Sequence, residues 1–355
     1  MVSWSPAIFV RGENMRTIIV ITFVSLLLSS CTAKAQTTTP LTEQERFKLA
    51  ADYSRDHRGL SVLVMKGDKI VFEDYANNAT VDTPWMLFSG TKSFSGVMLC
   101  AAIEDKMISS FDEKVSDTIT EWRADPQKSR ITIRQLLSLT SGIGAGQIGV
   151  VPSYSEAISS LMKFEPGTHF EYGPVPYQIF GELMTRKLKS RNETVMAYMK
   201  RRIIDPLGIR VSDWRAPNGQ PLLPQGASLT AREWVKFGLF MKNGGKWNGK
   251  QLIRKDLLDE LVKGSKVNPA YGVTWWLNHP GKNPIGREIG GEEAEGPKVR
   301  LYDGASDLFM AAGAGNQRLY IIRSLDLVIV RQGRAGPWDD KDFLGRLLLG
   351  RFSSN

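Results

Sequence analysis

The sequence predicts a mixed α/β (α+β) fold, in which an antiparallel sheet built from the N- and C-terminal segments is flanked by helices and carries an inserted, mainly helical lobe. Two observations support this prediction. Short β-type runs lie near both ends of the chain, and helical periodicity broken by Pro and Gly fills the middle, from about residue 89 to 261. The 355 residues are enough for one large domain or two modest ones.

The N-terminal strands are predicted to form a hairpin. Leu60–Lys66 and Lys69–Tyr75 are rich in apolar and β-branched residues, and they flank the turn-forming pair Gly67-Asp68. Two such runs around a short glycine-containing turn are typical of a β-hairpin.

The C-terminal part of the sheet is predicted from residues 307–313 and 317–333, with a turn at Arg323 to Asp326. Asp339–Leu349 then closes the chain as a helix with an apolar stripe. Residues 279–305 are rich in Gly, Pro and charge and are predicted to form a long surface loop, a kind of segment that often serves as a lid or binding loop.

Between these ends, apolar spacing predicts a series of helices. They are 132–139, 154–164, 177–189, 193–207, 231–242 and 255–263. We expect residues 46–355 to form a single domain, with a sheet lobe from about 46–88 and 298–355 and a helical lobe from about 89–297. A cleft is expected between two such lobes.

The N-terminus is predicted to be an export signal, residues 1–30. Met15-Arg16 precedes an apolar stretch, Ile18–Leu28, that is shorter than the roughly 20 residues a membrane span needs. Two processing routes remain open. Leu28-Ser29-Ser30-Cys31 resembles a bacterial lipobox, which would lipidate Cys31, and Ala33-Lys34-Ala35 is an A-x-A cleavage site; lipidation is the favoured route.

Either route predicts an exported protein, in the periplasm or anchored to a membrane of a bacterial envelope through lipidated Cys31. Residues 31–45 are polar and Thr-rich and are predicted to form a tether. The sequence does not specify the oligomeric state.

Composition argues against several classes of function. The net charge of +9 is dispersed, without a basic run or a nucleic-acid-binding motif, so no nucleic-acid partner is expected. None of the three histidines is at ligand spacing from a second His or Cys, and no metal or organic cofactor is expected. Two cysteines cannot make a disulfide framework, and Cys100, in an apolar run, is predicted to be a small buried residue.

The first candidate for chemistry is an S-x-x-K motif, Ser89-Gly90-Thr91-Lys92. The apolar stretch that follows places Ser89 near a helix N-terminus, and positions i and i+3 share a helix face, so Lys92 can reach the Ser89 hydroxyl. Burial lowers the pKa of a lysine, and a partly neutral Lys92 could accept the serine proton. Taken alone, four such residues are more often a capping serine with an exposed lysine.

The second candidate is Tyr172, which follows the Pro-Gly turn of the block Phe164–Tyr172. A tyrosine beside cationic groups can have a lowered pKa and act as a base. The alternative is a buried structural tyrosine, which is the usual role of any single tyrosine.

The ordered set of motifs resembles the class C β-lactamase, penicillin-binding protein and carboxylesterase superfamily, including its nylon-oligomer hydrolases. The resemblance covers roughly residues 45 to 350 and implies a β-lactamase/transpeptidase-like fold and a β-lactamase-related catalytic domain. The segments that carry it are 89–92, 131–142, 164–172 and 311–333, with further matches at 228–234 and 271–276.

By that resemblance, Ser89 is the acylated nucleophile, and Lys92 and Tyr172 share the general-base task, with the proton acceptor left open. The oxyanion hole would use the backbone N–H groups of Ser89 and Ala314. Ala312 and Gly313 would lie against the substrate, because small residues let a substrate backbone approach closely; a small-residue strand packed on a helix is compatible with the same pattern.

Two positions depart from the family pattern. The usual Y-x-N is here Tyr172-Gly173-Pro174, and the usual K-T-G or H-x-G aligns with Ala311-Ala312-Gly313, which lacks a cation. Arg318 or Arg331 could supply the missing charge. Both losses argue against efficient β-lactamase or DD-peptidase activity and favour a carboxylesterase-like member.

Other residues contribute less to the prediction of function. There is no G-x-S-x-G elbow for a Ser-His-Asp mechanism, and His169 is expected to be structural or at the rim. Trp275-Trp276 is more often core than a substrate platform.

The leading hypothesis is therefore an exported serine hydrolase that cleaves a small-molecule or peptide ester or amide through a Ser89 acyl-enzyme. The rival is a catalytically degraded penicillin-binding-like protein that captures cell-wall peptides or signals without turnover.

Overall fold

The computed structural model describes residues 40–280 and 304–351, which belong to one compact unit, Pro40–Asn355. The predicted export signal, Cys31 and most of the predicted loop at 279–305 lie outside the described residues. Within these described ranges, no helix combines the length and apolar character that a membrane span requires.

A six-stranded antiparallel sheet forms the centre of the described fold, in the order β2-β1-β11-β10-β9-β8. The pairing of the first and last long strands joins the two ends of the chain, and the predicted hairpins are both present. The strands are β1 Gly59–Lys66, β2 Lys69–Tyr75, β8 Trp276–Leu277, β9 Phe309–Gly313, β10 Gln317–Ile322 and β11 Leu327–Gly333.

Two terminal helices cover one face of this sheet: α1, Glu43–Asp56, and α9, Asp340–Leu349. Helix α9 matches its predicted position. Helix α1 was not predicted, and it begins inside the segment expected to be a tether, because Thr42 forms a capping box with Glu45 that closes its first turn.

The middle of the chain is mainly helical, as expected. Ala231–Lys242 is helical over the whole predicted range, whereas the helix expected at 154–164 ends at Ile158, because the chain then turns to pair with Gly142 and Ile143. The α-helices are α2 Lys92–Glu104, α3 Ile133–Leu137, α4 Tyr154–Ile158, α5 Val175–Leu188, α6 Val195–Met199, which continues as a π-helical turn Lys200–Ile204, α7 Ala231–Lys242 and α8 Lys255–Leu261.

Several short strands outside the six-stranded sheet were not predicted from the sequence. They are β3 Trp85–Met86, β4 Asp213–Trp214 and β5 Ala227–Leu229, in the order β3-β5-β4, and the hairpin β6 Lys246–Trp247 with β7 Lys250–Gln251. Strand β3 is important for the site, because it leads directly into the segment that carries Ser89.

The sheet presents different residues to its two sides. Leu319 and Val328 face α7, since a Cβ on Gly238 of α7 would meet both side chains. Side chains alternate along a strand, so Tyr320 faces the other way, where its ring stacks on Phe343 of α9. We call the α7 side the front face and the α1/α9 side the back face.

Candidate active site

Ser89 lies in a 3-10 turn, Phe88–Thr91, between β3 and α2, and Lys92 is the first residue of α2. The Nζ of Lys92 is 2.9 Å from the Oγ of Ser89. The structure therefore brings together the two residues of the S-x-x-K motif, and Ser89 is half-buried at the start of the helix.

The backbone around Ser89 is held in an unusual conformation. Phe88 has a φ of 47°, in the left-handed region that non-glycine residues rarely adopt. The flanking Leu87 fixes it, since its N–H donates to Ala227 and its C=O accepts from Gly90, both at 2.9 Å. Gly313 of β9 packs so closely that a Cβ there would lie 2.0 Å from the Leu87 oxygen.

Lys92 is a buried lysine without a counter-charge. Its side chain is 4% exposed, and its second hydrogen bond is to the carbonyl of Pro224, at 3.0 Å. Within the described part of the chain no carboxylate forms an ion pair with it. Desolvation alone therefore lowers the pKa of Lys92 to about 7.

Tyr172 completes the cluster from the side of the helical lobe. The Lys92 Nζ lies 4.9 Å from the centroid of the Tyr172 ring and 5.3 Å from that of Tyr177. Burial raises the pKa of Tyr172 to about 12, and hydrogen bonds with Ser89 and Trp276 offset only part of that rise. A tyrosine beside cations can have a lowered pKa, but here desolvation of the phenol outweighs the nearby charge.

Aromatic rings form the wall behind Tyr172. Trp276 lies 5.4 Å from Tyr172 and 4.7 Å from Tyr271, between ring centroids, and the Tyr271 and Tyr177 hydroxyls are 2.7 Å apart. The tryptophan pair divides between two roles. Trp275 stacks on Phe237 in the core, as the more common interpretation predicts, whereas Trp276 belongs to the site.

The third motif lies on β9 beside the Ser89 turn, but its three residues differ in direction. Gly313 faces that turn, and Ala311, two residues earlier, shares its face of the strand. Ala312 pairs with Arg318 of β10, so its side chain faces the back of the sheet. Strand β8 pairs only with Phe309 and Met310, which leaves the neighbouring edge of 311–313 without a strand partner in the described residues.

Ala314, expected to donate to an oxyanion, is the first residue of the turn after β9. It follows Gly313, whose added Cβ would lie 3.1 Å from the backbone N of Gly90. The end of β9 and the Ser89 turn are therefore adjacent, which is the arrangement that two converging N–H donors require.

Neither arginine considered as a substitute cation lies on the front face. Arg318 is bound to Asp340 of α9 through Nε at 2.8 Å and its terminal nitrogen at 3.1 Å. Arg331, opposite it on β11, donates to the carbonyls of His57, Gly315 and Asn316. These bonds hold both side chains on the back of the sheet and away from a substrate beside Ser89, but the charge of Arg318 is still close enough to Tyr172 to lower the pKa of the phenol.

Gly173 and Pro174, which follow Tyr172, both have structural roles. A Cβ on Gly173 would lie 2.2 Å from the Ala145 carbonyl, and Pro174 is the N-cap residue of α5. The carbonyl of Ala145 also accepts from Val175, at 3.0 Å. The loop that contains Ala145 is thereby fixed to this motif.

That loop, residues 144–150, borders the site. The carbonyl of Gly149 accepts from Gln225, the neighbour of the Pro224 that binds Lys92. Ile148 and Val150 at its tip are 41% and 59% exposed. Sequence analysis missed this apolar rim and also the Pro224 carbonyl, because both depend on contacts across long stretches of chain.

His169 does not take part in the cluster. Its ring stacks on Phe164 with a centroid distance of 4.0 Å, and its Nδ1 is 2.8 Å from the Thr168 hydroxyl. These contacts stabilise the Pro-Gly turn, in agreement with a structural role.

Comparisons with known protein families and solved structures agree with this fold. A family model described as Beta-lactamase matches residues 35–332. No curated protein matches the sequence significantly.

Solved structures share the fold at low identity. A putative 6-aminohexanoate-dimer hydrolase from Bacillus anthracis is similar with a TM-score of 0.65 and 17% identity, covering 82% of this chain and 77% of that chain. A putative beta-lactamase from Bacteroides dorei DSM 17855 gives 0.65 and 18%, over 84% and 92%. A D-stereospecific amidohydrolase from Streptomyces sp. gives 0.60 and 15%, over 88% and 100%. The predicted β-lactamase/transpeptidase-like fold is confirmed.

Proposed function

The chain belongs to the beta-lactamase family of serine hydrolases, and on that premise we propose that it hydrolyses an ester or amide through an acyl-enzyme formed on Ser89. The observation that carries the proposal is the 2.9 Å contact between the Ser89 hydroxyl and a buried lysine that has no counter-charge. Neither departure from the family pattern, at Pro174 or at Ala311, disturbs this pair.

Lys92 is the general base of the proposed acylation. With a pKa of about 7 it is neutral in a large fraction of molecules at neutral pH. One N–H of the neutral amine donates to Pro224, which leaves the nitrogen lone pair free to face the Ser89 hydroxyl. As the Ser89 oxygen attacks the substrate carbonyl, its proton passes to Lys92.

Tyr172 acts as a proton donor in this scheme. Its pKa of about 12 keeps the phenol protonated at neutral pH, so it is suited to give a proton rather than to take one. The tetrahedral intermediate collapses when the bond to the leaving group breaks; Tyr172 protonates the leaving group and recovers a proton from charged Lys92. The N–H groups of Ser89 and Ala314 bind the oxyanion, and water then releases the acyl group from Ser89.

The substrate that fits best is uncharged and apolar near the scissile bond. Ala311, in place of the family cation, gives nothing to bind a carboxylate, and Arg318 and Arg331 face away. The 144–150 loop adds Ile148 and Val150 at the rim. These features favour a neutral ester over a β-lactam or a peptide with a free carboxylate.

We also propose export, with attachment to an envelope membrane through lipidated Cys31. The proposal rests on the signal-like N-terminus and the lipobox-like Leu28-Ser29-Ser30-Cys31. Replacement of Cys31 by Ala should move the protein from the membrane fraction to the soluble fraction.

The test is hydrolysis of a short p-nitrophenyl acyl ester by the purified protein, with mass spectrometry to find the acyl group. We expect multiple turnovers and an adduct on Ser89, both lost in Ser89→Ala. Ser93→Ala is the matched control, because Ser93 is a buried serine of the same helix turn whose hydroxyl donates to Thr274.

Two results would contradict the proposal. Turnover by Ser89→Ala equal to that of the wild type, across esters and amides, would exclude Ser89 as the nucleophile. A stable adduct on Ser89 without a second turnover would instead support the capture of peptides without hydrolysis.

A further inference from the structure

The environment of Tyr172 differs from what the family resemblance implies, because the Asn amide and the third-motif cation are absent from the sequence and a tryptophan ring packs against the phenol. Trp276 is only 2% exposed, and its ring centroid is 5.4 Å from that of Tyr172 with an interplanar angle of 34°. Two tilted rings at this distance can place the indole N–H against the phenol oxygen.

The backbone holds Trp276 firmly in this place. It pairs with Met310 of β9, and it forms a bridge with Tyr271, whose ring packs edge-on against the indole at 4.7 Å. Met310 directly precedes Ala311, so the indole comes from the strand beside the motif that lacks a cation.

We propose that Trp276 is a positioning residue for the reaction proposed above: its indole N–H donates to the Tyr172 oxygen and holds the phenol toward Ser89. The inference rests on the proposed function, since Tyr172 is the residue through which Trp276 acts. It extends that function by naming a neutral donor to the phenol, supplied by the strand that pairs with β9 just before the motif that lacks a cation.

A neutral indole donor is compatible with a protonated Tyr172. A cation beside the phenol would stabilise the tyrosinate strongly, whereas a neutral indole donor stabilises it weakly. Burial raises the pKa of Tyr172, and the hydrogen bonds with Ser89 and Trp276 and the charge of Arg318 offset only part of that rise, which leaves the pKa at about 12. A neutral donor therefore orients the hydroxyl and still leaves its proton available for the leaving group.

The neighbouring Trp275 shows that this role belongs to position 276. Its ring stacks on Phe237 and lies edge-on to Phe309, and its buried indole nitrogen has no hydrogen-bond partner. Trp275 thus contributes packing without a donor function, and it supplies a matched control of the same residue type.

The test compares Trp276→Phe with Trp275→Phe, alone and combined with Tyr172→Phe. For Trp276→Phe we expect kcat to fall about tenfold for p-nitrophenyl esters and further for alkyl esters, whose poorer leaving groups need the proton more, with little change in KM. In a Tyr172→Phe background the same substitution should have almost no effect. Trp275→Phe should show neither the leaving-group dependence nor the coupling.

A second measurement does not depend on activity. Denaturation midpoints of the four Trp276/Tyr172 combinations should be non-additive, and those of the Trp275/Tyr172 combinations additive. Equal losses in Trp276→Phe and Trp275→Phe for every leaving group, with additive midpoints in both cycles, would overturn the inference. Absence of turnover by the wild type together with non-additive midpoints would instead refute the proposed hydrolase function and still support the Trp276–Tyr172 contact.

Discussion

The two faces of the central sheet treat buried positive charge in opposite ways. On the back face, Arg318 is bound by Asp340 through two hydrogen bonds, and Arg331 donates to carbonyls at the ends of α1 and the β9–β10 turn. On the front face, Lys92 is also buried, but its hydrogen-bond partners are one hydroxyl and one carbonyl, two tyrosine rings lie near its ammonium, and no carboxylate of the described residues pairs with it.

The difference lies in the charge state that each face maintains. The carboxylate of Asp340 raises the pKa of Arg318, and Arg318 in turn holds the pKa of Asp340 below its usual value, so both remain charged. Lys92 has no such partner and loses its proton near neutral pH. Pairing makes Arg318 part of a structural ion pair, whereas the unpaired Lys92 can act as a base. Arg331 also lacks a carboxylate partner, but burial lowers its pKa only to about 10, so it stays charged at neutral pH.

The largest expected effect is on catalysis at the front face. Lys92→Met keeps the length of the side chain and removes the base, so kcat/KM for a p-nitrophenyl ester should fall by about 10³-fold or more. Lys242→Met is the control, because Lys242 is a buried lysine with a carboxylate partner, Asp326, far from Ser89 in the chain. Equal losses in the two variants would mean that loss of any buried lysine, rather than loss of the unpaired base beside Ser89, lowers activity.

The next effect is on stability at the back face. Asp340→Asn removes the counter-charge of Arg318 and should lower the free energy of unfolding by ~3 kcal/mol, because a buried charge is left unpaired. Activity per folded molecule should not change. Asp342→Asn, which removes an ion pair with Arg346 within the same helix, should cost no more than about 0.5 kcal/mol in the same chemical denaturation experiment.

Sequence alone predicted the parts of both faces that depend on local spacing. The i, i+3 spacing of Ser89 and Lys92 and the apolar, β-branched runs around the hairpin turns are properties of short segments, and the structure has both the contact and the hairpins. Tyr172 was a candidate from its place after the Pro-Gly turn, but only the family resemblance favoured a catalytic role, because nothing in its immediate neighbours distinguishes it from a structural tyrosine.

What the sequence could not predict depends on distant contacts. The contacts of Lys92 with Pro224 and of Tyr172 with Trp276 join residues that are roughly a hundred positions or more apart in the chain. In addition, a backbone carbonyl has no signature in a sequence. The direction of the Tyr172 pKa shift could not be predicted either, because burial of the phenol decides it. The placement of Arg318 on the back face follows from its register with Ala312, which also requires the sheet.

A third prediction concerns the stability cost of the unpaired lysine. Folding lowers the pKa of Lys92, so the folded state is penalised below pH 7, and the penalty fades as pH rises toward the value of an exposed lysine. Lys92→Met should therefore raise the free energy of unfolding by up to ~5 kcal/mol at pH 6 and by ~2 kcal/mol at pH 9. A gain independent of pH would mean that packing rather than charge is responsible.

The pH dependence of acylation should show the same group. Because only neutral Lys92 can accept the serine proton, kcat/KM should increase about tenfold per pH unit below pH 7 and level off above it. Asp340→Asn at the back face should leave this midpoint unchanged. A midpoint that is absent or near that of an exposed lysine would exclude Lys92 as the base.

The smallest effect is expected at the rim of the front face. Ile148 and Val150 lie on the loop joined to Tyr172 and Lys92 through Ala145 and Gln225, so a substrate chain leaving the site should cover them. The double variant Ile148→Ser, Val150→Ser should lower kcat/KM for p-nitrophenyl octanoate about fivefold, as expected from ~40 Å² of apolar surface, and leave the acetate unchanged.

Leu325 provides the control for that rim, since it is 40% exposed in the β10–β11 turn, outside the loop that borders Ser89. Leu325→Ser removes a similar exposed apolar group, and it should affect neither ester. If the activity of the rim variant fell equally on the octanoate and acetate esters, the loop would be positioning the catalytic groups rather than binding the substrate chain. If Leu325→Ser gave the same selective loss, long-chain esters would be responding to general surface hydrophobicity rather than to the front face of the sheet.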